Sequence, residues 1–299
     1  MNKSHHIKDI LKNGEQTFSF EFFPPRTQES SEQLLQTIKK LSPLNPSFVS
    51  VTYGAGGRTR ELTHELVVKL QHEVGFSIVA HLTCIGSTKD EVKNILQKYW
   101  ENKILNIMAL RGDPPKGVSS IVETKNEFKY AEELVKFIKI NFSGMGIGVA
   151  GFPEGHPDSL NIKSEMEFLK AKVDAGADYI CTQLFFDNNA FYKYREMCEK
   201  LNIQIPIIAG IMPITTKKGM ERMSELAKGS TFPEKLISKI SNSTDDSEVE
   251  KIGIDWATEQ VMGLVENKTS GIHFYTLNKS KATLEILKNL NIKSQKKII

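Results

Sequence analysis

Eight short apolar segments alternate with longer amphipathic segments in this chain, and that alternation predicts an α/β fold, a single (β/α)8 TIM barrel. The short segments are rich in Val, Ile and Phe, whereas the longer ones repeat apolar residues every three or four positions, as helices do. Strands that alternate with helices form right-handed βαβ units around a parallel sheet. At 299 residues the chain has room for eight such units in one domain. An open doubly wound sheet is the alternative, although it more often has five or six strands.

Each predicted strand is followed by at least one predicted helix. The first two helices surround residues 34–41 and 66–74, where Leu, Ile and Val recur at helical spacing. The predicted strands are 18–22, 48–52, 77–82, 104–110, 146–150, 179–183, 207–211 and 271–276, and the later helices are 89–101, 130–141, 162–175, 190–200, 217–228 and 281–290.

The spacing between the seventh and eighth strands is longer than one barrel unit requires. Some 60 residues separate these strands, which is room for two extra helices. Because the eighth strand still follows, we interpret the segment as an insertion into one domain over residues 1–299. That domain has a lead-in at 1–15, a helical insertion at 229–268 and a C-terminal tail at 291–299.

Composition and motifs exclude several classes of protein. A net charge of +3 gives no indication of a nucleic-acid partner. The cysteines Cys84, Cys181 and Cys198 form no CxxC pair, which argues against a disulfide framework or a zinc site and favours a reducing cytoplasm. We find no signal peptide and no apolar run of the ~20 residues that cross a bilayer. We therefore expect a cytoplasmic protein without a membrane partner.

The first predicted strand ends in an unusual stretch, in which Glu21 lies among phenylalanines before Pro24 and Pro25. The prolines prevent the strand from continuing, so Glu21 lies near its carboxyl end. Burial of a carboxylate against aromatic rings disfavours the charged form, which suits a general acid that works near neutral pH. The alternative is a strand-end glutamate that faces solvent or pairs with Arg26.

Polar and glycine-rich residues follow several other predicted strands. In a parallel barrel the active site forms at the carboxyl ends of the strands, so these residues should meet at one mouth. They include Asp113 and Gln183, which we expect near Glu21, and Arg111, which suits an anionic group. A loop ion pair between Arg111 and Asp113 is the structural alternative. The segments are 52–57 (TYGAGG), 81–84 (HLTC), 111–115 (RGDPP), 151–157 (GFPEGHP) and 182–183 (TQ).

Known cofactor motifs do not explain these strand ends. His81 and His156 come from different strand ends and lack a paired carboxylate or cysteine at the spacing of zinc ligands. The chain contains no Walker loop and no strand-linked GxGxxG, which argues against a nicotinamide held on a Rossmann domain. From the residues alone, the sequence predicts a barrel enzyme without naming its reaction.

Taken together, the strand ends resemble those of methylenetetrahydrofolate reductases of the short bacterial type. The matching blocks occur in collinear order over essentially the whole chain: 19–25 (SFEFFPP), 49–55 (VSVTYGA), 81–84 (HLTC), 110–113 (LRGD), 173–177 (VDAGA) and 273–278 (HFYTLN). The resemblance implies a barrel that binds FAD, takes hydride from NADH or NADPH in a ping-pong reaction, and reduces 5,10-methylenetetrahydrofolate to 5-methyltetrahydrofolate for methionine synthesis. It also implies a homo-oligomer.

The resemblance implies roles for individual residues as well. Glu21 would protonate N10 of the folate, Asp113 would bind the pterin and stabilise the iminium cation, and Gln183 would contact the folate. Met223 and Lys279 fall at further substrate positions. The implied FAD-binding residues are Thr52, His81, Arg111, Gly112, Asp113, Tyr130, Ala131, Phe152, His156, Glu165, Phe168 and Lys172.

Five of these positions depart from the family pattern. Phe152 replaces a common Tyr, Met223 a stacking Phe, and Lys279 an Arg. At the adenosine end of the FAD site, Glu165 replaces an Asp and Phe168 replaces an Asn. We expect altered cofactor affinity rather than lost activity.

Two other functions fit the same residues: a flavin-free barrel transferase that handles pterins, and a non-catalytic protein that binds FAD or folate. Because the chain ends soon after the eighth unit, we expect no C-terminal extension of the kind through which longer relatives bind S-adenosylmethionine, and no inhibition by that molecule.

Overall fold

The described residues form a closed barrel of eight parallel strands, β1 to β8 in sequence order. The computed structural model describes residues 5–12, 16–25, 27–53, 57–73, 75–113, 127–157, 159–227 and 229–292, without the side chains of 57–60, 225 and 226. The strands are β1 (Thr17–Phe22), β2 (Phe48–Val51), β3 (Ile78–Thr83), β4 (Asn106–Leu110), β5 (Gly146–Gly151), β6 (Tyr179–Thr182), β7 (Ile207–Ile211) and β8 (Gly271–Tyr275). All eight predicted strands are present, and β8 pairs with β1 to close the sheet.

The helices surround the barrel and confirm the predicted fold class. They are α1 (Ile7–Lys12), α2 (Gln28–Leu41), α3 (Gly57–Glu73), α4 (Lys89–Glu101), α5 (Ala131–Asn141), α6 (Ile162–Asp174), α7 (Asn188–Lys200), α8 (Lys217–Leu226), α9 (Glu234–Ser241), α10 (Asp246–Glu266) and α11 (Lys281–Asn289). Within the described residues, no helix has the length and apolar character that crossing a bilayer requires.

Helix α1 closes the amino-terminal end of the barrel, where we predicted only a lead-in. The Asn106 side chain at the start of β4 accepts a hydrogen bond from the Ile7 amide, with 3.0 Å between Oδ1 and N. Ile7, Ile10 and Leu11 are buried against side chains of the barrel interior. The helix therefore leaves the opposite, carboxyl end of the barrel as the place for a site. Of the predicted tail, residues 293–299 lie outside the described part of the chain.

Helices α9 and α10 are the predicted extra helices between β7 and β8. Together with α8 they pack on the segments that follow β6 and β7, through an apolar cluster that includes Phe186, Ile214 and Val249. Gly253 of α10 lies close to the segment after β7, since an added Cβ there would be 1.8 Å from the Ile214 carbonyl oxygen. The insertion is thus held against one side of the barrel mouth.

Replacement of Gly253 by alanine should destabilise the protein although alanine favours helices. The gain in helix propensity is at most about 1 kcal/mol, whereas the clash with the Ile214 backbone costs about 1–3 kcal/mol of unfolding free energy. Urea unfolding measures the difference. Gly263→Ala in the same helix is the matched control, because its nearest neighbours are the side-chain ends of Asn188 and Tyr192. Equal effects of the two substitutions would contradict this account of the packing.

Candidate functional site

The Glu21 side chain enters the barrel interior and lies between two imidazoles. Its Oε2 atom is 3.5 Å from Nε2 of His81 and 3.7 Å from Nε2 of His273. The carboxyl side chain is 18% exposed, so it remains open to the mouth. It follows that β1, β3 and β8 each contribute one side chain to this part of the site.

The predicted aromatic surroundings of Glu21 are wrong. Phe20 and Phe22 are buried in the outer apolar layer, together with Leu34 and Ile38 of α2. Successive side chains of a strand point to opposite faces, so a glutamate between two outward phenylalanines must face inward. Arg26, the alternative partner for Glu21, lies outside the described residues.

Hydrogen bonds on both ring nitrogens hold the imidazole of His273 in place. The Oγ atom of Ser19 is 2.7 Å from Nδ1, and the Oγ atom of Ser50 is 3.1 Å from Nε2. The ring of Phe48 stacks on the imidazole, with 5.5 Å between centroids, and His273 is only 1% exposed. We did not predict His273 or the two serines as site residues, although their inward positions on β1, β2 and β8 could have indicated them.

The second imidazole, that of His81, is also buried. Burial lowers the pKa of His81, and the nearby Glu21 carboxylate offsets part of that effect while His273 adds to it. Because an unperturbed histidine has a pKa near 6.5, the His81 ring is neutral at pH 7. The carboxyl group of Glu21 therefore shares its pocket with a neutral ring.

Gln183 and Tyr275 line the neighbouring part of the mouth. The Gln183 side-chain oxygen accepts a hydrogen bond from the Leu184 amide at 2.9 Å. This bond directs the Oε1 atom of Gln183 towards the backbone, so the side-chain NH2 group of Gln183 is the end that can donate to a ligand. The hydroxyl of Tyr275 donates to the Thr182 carbonyl at 2.6 Å, which links β8 to β6 across β7.

Two other predicted substrate positions are less favourably placed. Met223 of α8 is 3% exposed and packs in the apolar cluster of the insertion, so it has little surface for a ligand. Lys279 is exposed beyond β8, and its backbone amide donates to the Thr276 carbonyl. Asp113 is exposed after β4, at the end of a described segment. Residues 54–56 and 114–115 of the predicted strand ends lie outside the described residues.

The segment after β4 crosses closely over the end of β3. Gly112 has a φ of +84°, and an added Cβ would lie 2.9 Å from atoms of both Thr83 and Ile85. The Ile85 amide donates to the Arg111 carbonyl at 2.9 Å, which fixes this crossing. Glycine is therefore required here both by the left-handed conformation and by the close approach. The Arg111 side chain, half-buried, stands at the mouth beside it.

Lys172 of α6 is a buried cation beneath the loop that follows β5. Its Nζ atom donates to the Ala150 carbonyl at 2.7 Å and lies 5.9 Å from the centroid of the Phe152 ring. Burial lowers the pKa of Lys172 to about 8, against the opposing effect of Glu165. The Phe152 ring also contacts the His156 ring edge-on, at 4.7 Å. The predicted FAD positions Phe152 and His156, in the loop after β5, therefore lie close to Lys172 of α6.

Most of the remaining predicted FAD positions lie at the starts of α5 and α6. Tyr130, the residue before α5, stacks on Phe168 of α6, and Ala131 is the first residue of α5. Glu165 is buried and accepts a hydrogen bond from the Ser159 hydroxyl at 2.7 Å. Thr52 lies apart from them, because it follows β2 and its amide donates to the Phe22 carbonyl at the end of β1. The structure thus has a carboxyl side around Glu21, which includes the predicted FAD positions His81 and Thr52, and a cationic side around Lys172.

Comparison with known proteins identifies a family. Residues 6–291 match the family model for methylenetetrahydrofolate reductase. The chain is 37% identical to 5,10-methylenetetrahydrofolate reductase of Escherichia coli, over 94% of this chain and 92% of that protein. It is also 37% identical to methylenetetrahydrofolate reductase (NADH) 1 of Arabidopsis thaliana, over 98% of this chain but 51% of that protein. The chain therefore spans about half the length of the plant relatives that it matches.

Solved structures with low sequence identity share the fold. A Clostridium thermocellum protein that binds two copies of 5-methyl-5,6,7,8-tetrahydrofolic acid superposes with a TM-score of 0.64 at 16% identity, over 96% of this chain and 99% of that chain. Oxaloacetate acetylhydrolase superposes with a TM-score of 0.54 at 11% identity, over 96% of this chain and 82% of that chain. These matches support the barrel architecture.

Lys172 should make stability depend on pH in an alkaline window. The pKa of Lys172 is about 8 in the folded protein and about 10.4 in an unfolded chain. Between these values the unfolded state binds more protons, so the contribution of Lys172 to the free energy of unfolding rises with pH. We therefore compare the free energy of unfolding of wild type with that of Lys172→Met. The wild-type value minus the variant value should increase by up to about 3 kcal/mol from pH 7.5 to 10.5.

Urea unfolding across this pH range, without added ligands, measures that difference. Lys163→Met is the matched control, because Lys163 is an exposed residue at the start of the same helix. A Lys172→Met difference that stays constant with pH would show that the lysine is not a desolvated cation.

Proposed function

This chain belongs to the methylenetetrahydrofolate reductase family, and we propose that it reduces 5,10-methylenetetrahydrofolate to 5-methyltetrahydrofolate with FAD as cofactor. The electron donor is NADH or NADPH in a ping-pong reaction, and the product supplies methyl groups for methionine synthesis. The observation that carries the proposal is the inward position of Glu21 at the barrel mouth, between His81 and His273. The homo-oligomeric state of the protein and its location in the cytoplasm stay predictions.

The residues on the cationic side of the mouth fit FAD. Lys172 is a buried amine whose pKa is lowered to about 8, so a nearby anion would stabilise its charge. The pyrophosphate of FAD would be that anion, and Arg111 would be a second donor to it. The family resemblance implies FAD contacts by ten residues in addition to Arg111 and Gly112: Thr52, His81, Asp113, Tyr130, Ala131, Phe152, His156, Glu165, Phe168 and Lys172. When bound, FAD supplies the hydride transfer, and the protein supplies orientation and charge.

Glu21 is the proposed general acid for the folate. Its carboxyl group holds a proton at Oε1 or Oε2 inside the mouth and gives it to N10 of the substrate, so that the five-membered ring opens to an iminium at N5. General acid catalysis of this kind contributes roughly 10²–10⁴-fold in rate. The fixed imidazole of His273 limits where Glu21 can place its carboxyl group, and the neutral His81 adds no competing positive charge.

Asp113 and Gln183 are the proposed folate-binding residues. The exposed Asp113 places a negative charge at the mouth, where it would stabilise the positive iminium. Gln183 presents its NH2 group because its carbonyl oxygen is already bonded to the Leu184 amide. A donor at this position suits a pterin carbonyl or ring nitrogen. Met223 contributes apolar packing beneath the mouth in this proposal, and Lys279 a single exposed donor.

An anaerobic assay tests the function directly. Purified protein should carry FAD or take it up, the flavin absorbance should bleach with NADH or NADPH, and 5,10-methylenetetrahydrofolate should restore it. Parallel reactions with the two nicotinamides identify the preferred donor. Protein that stays colourless after incubation with FAD would contradict the proposal and favour the flavin-free transferase, and bleached flavin that the folate does not reoxidise would indicate a non-catalytic binding protein.

Glu21→Gln should separate the two half-reactions. Only the folate half-reaction needs the proton, so flavin reoxidation by 5,10-methylenetetrahydrofolate should slow by at least roughly 100-fold, while flavin reduction by the nicotinamide is retained. Stopped-flow absorbance under anaerobic conditions measures both rates. Glu285→Gln on the surface helix α11 is the control and should change neither rate. Equal losses in both half-reactions would show that Glu21 has been assigned the wrong role.

A further inference from the structure

Tyr275 of β8 crosses the mouth of the barrel to reach β6. It is the register partner of Glu21 on the neighbouring strand β1, so its side chain faces the barrel interior as that of Glu21 does. Its ring contacts that of His273 edge-on, with 5.5 Å between centroids, and its hydroxyl oxygen lies 2.6 Å from the Thr182 carbonyl oxygen. The tyrosine therefore connects the carboxyl side of the mouth with the strand that precedes Gln183.

Strand β7, which lies between β6 and β8, leaves room for this crossing at Gly210. An added Cβ at Gly210 would lie 2.3 Å from the Thr182 carbonyl oxygen and 2.7 Å from the Tyr275 ring. The pairing of β6 with β7 ends before this point, at Cys181 and Ile208. The Gly210 amide donates to the Thr182 side chain, with 3.0 Å between N and Oγ1. Tyr275 therefore takes the place of β7 as the partner of the Thr182 carbonyl.

The peptide group between Thr182 and Gln183 is held at both ends. Its carbonyl oxygen accepts from the Tyr275 hydroxyl, and its N–H donates to the Gly151 carbonyl of β5 at 2.7 Å. Because a peptide group is planar, these two bonds fix its plane and with it the direction in which the Gln183 side chain leaves the backbone. The Leu184 amide then holds the side-chain oxygen of Gln183. The place of the Gln183 NH2 group thus depends on a bond that Tyr275 makes.

The Tyr275 hydroxyl keeps its proton at neutral pH and so remains a donor. Burial raises the pKa of Tyr275, and the nearby Cys181 thiol and Glu21 carboxylate raise it further. Thr182 is fully buried, so water could not replace the tyrosine as the donor to its carbonyl. A phenylalanine at position 275 would keep the ring and remove only this bond.

We propose that Tyr275 is a positioning residue for the folate, and that its hydroxyl orients the Gln183 amide through the Thr182 carbonyl. This inference rests on the proposed function, because it takes Gln183 to bind the pterin. Tyr275 needs no contact with the substrate for this role. Loss of the hydroxyl should therefore weaken folate binding, while proton transfer from Glu21, which a different strand supports, continues.

A double-mutant cycle tests the inference through anaerobic stopped-flow reoxidation of the reduced flavin by 5,10-methylenetetrahydrofolate. Tyr275→Phe should raise the half-saturating folate concentration about fivefold, the effect of one hydrogen bond, and retain the limiting rate. Gln183→Met keeps the length of the side chain and removes its NH2 group. In protein that already carries Gln183→Met, Tyr275→Phe should not raise the half-saturating concentration further, because residues that act as one unit are not additive.

Tyr192→Phe is the matched control. The Tyr192 hydroxyl of α7 also donates to a backbone carbonyl, that of Gly263 in α10 at 2.9 Å, but this bond joins two helices outside the barrel. Its loss should change neither the half-saturating folate concentration nor the limiting rate.

An equal effect of Tyr275→Phe with and without Gln183→Met would overturn the inference, because the tyrosine would then act independently of Gln183. A lower limiting rate with an unchanged half-saturating concentration would overturn it as well, since that result would point to Glu21. If the folate reoxidises the wild-type flavin and Tyr275→Phe behaves as wild type, only this inference fails. If the folate does not reoxidise the wild-type flavin, the proposed function fails and the inference fails with it.

Discussion

The alternation of side chains along β1 is the constraint on which the site depends. Ser19 and Glu21 face the barrel interior because Phe18, Phe20 and Phe22 face the helices. A shift of β1 by one residue would expose the phenylalanines to the interior and bury the carboxyl group among apolar helices. The apolar packing outside the barrel therefore fixes the polar chemistry inside it. Strand β1 thus contributes both Ser19, which is hydrogen-bonded to His273, and Glu21, which lies beside the His273 ring.

Elements with a strong local pattern could be predicted from the sequence. The alternation of apolar strands and amphipathic helices predicted all eight strands, and the long gap before β8 predicted α9 and α10. Helix α1 was missed because it is short and its stability comes from burial against the barrel interior, including a bond to Asn106 that is distant in sequence. No local periodicity could reveal that contact.

The surroundings of the site residues were harder to predict than their positions. Strand ends identified Glu21 and His81, since parallel strands bring their carboxyl ends to one mouth, whereas Lys172 of α6 was implied only by the family resemblance. Neighbours in sequence were mistaken for neighbours in space at Glu21, whose actual partner His273 is more than two hundred residues away. Applying the two-residue period of strands to β8 would have placed His273 inside. The pairing of Lys172 with the Ala150 carbonyl depends on how α6 packs on β5, which no motif encodes.

The two sides of the mouth make opposite demands on the protein. Around Glu21, a neutral His81 and a fixed His273 surround the carboxyl group that we propose as the general acid. Around Lys172, a cation is held in a place that penalises its charge, so that binding an anion there relieves the penalty. Because different strands support these groups, a substitution on one side need not disturb the other. That separation suits the ping-pong reaction that we propose, in which a cofactor would stay bound while two different substrates enter and leave the same mouth in turn.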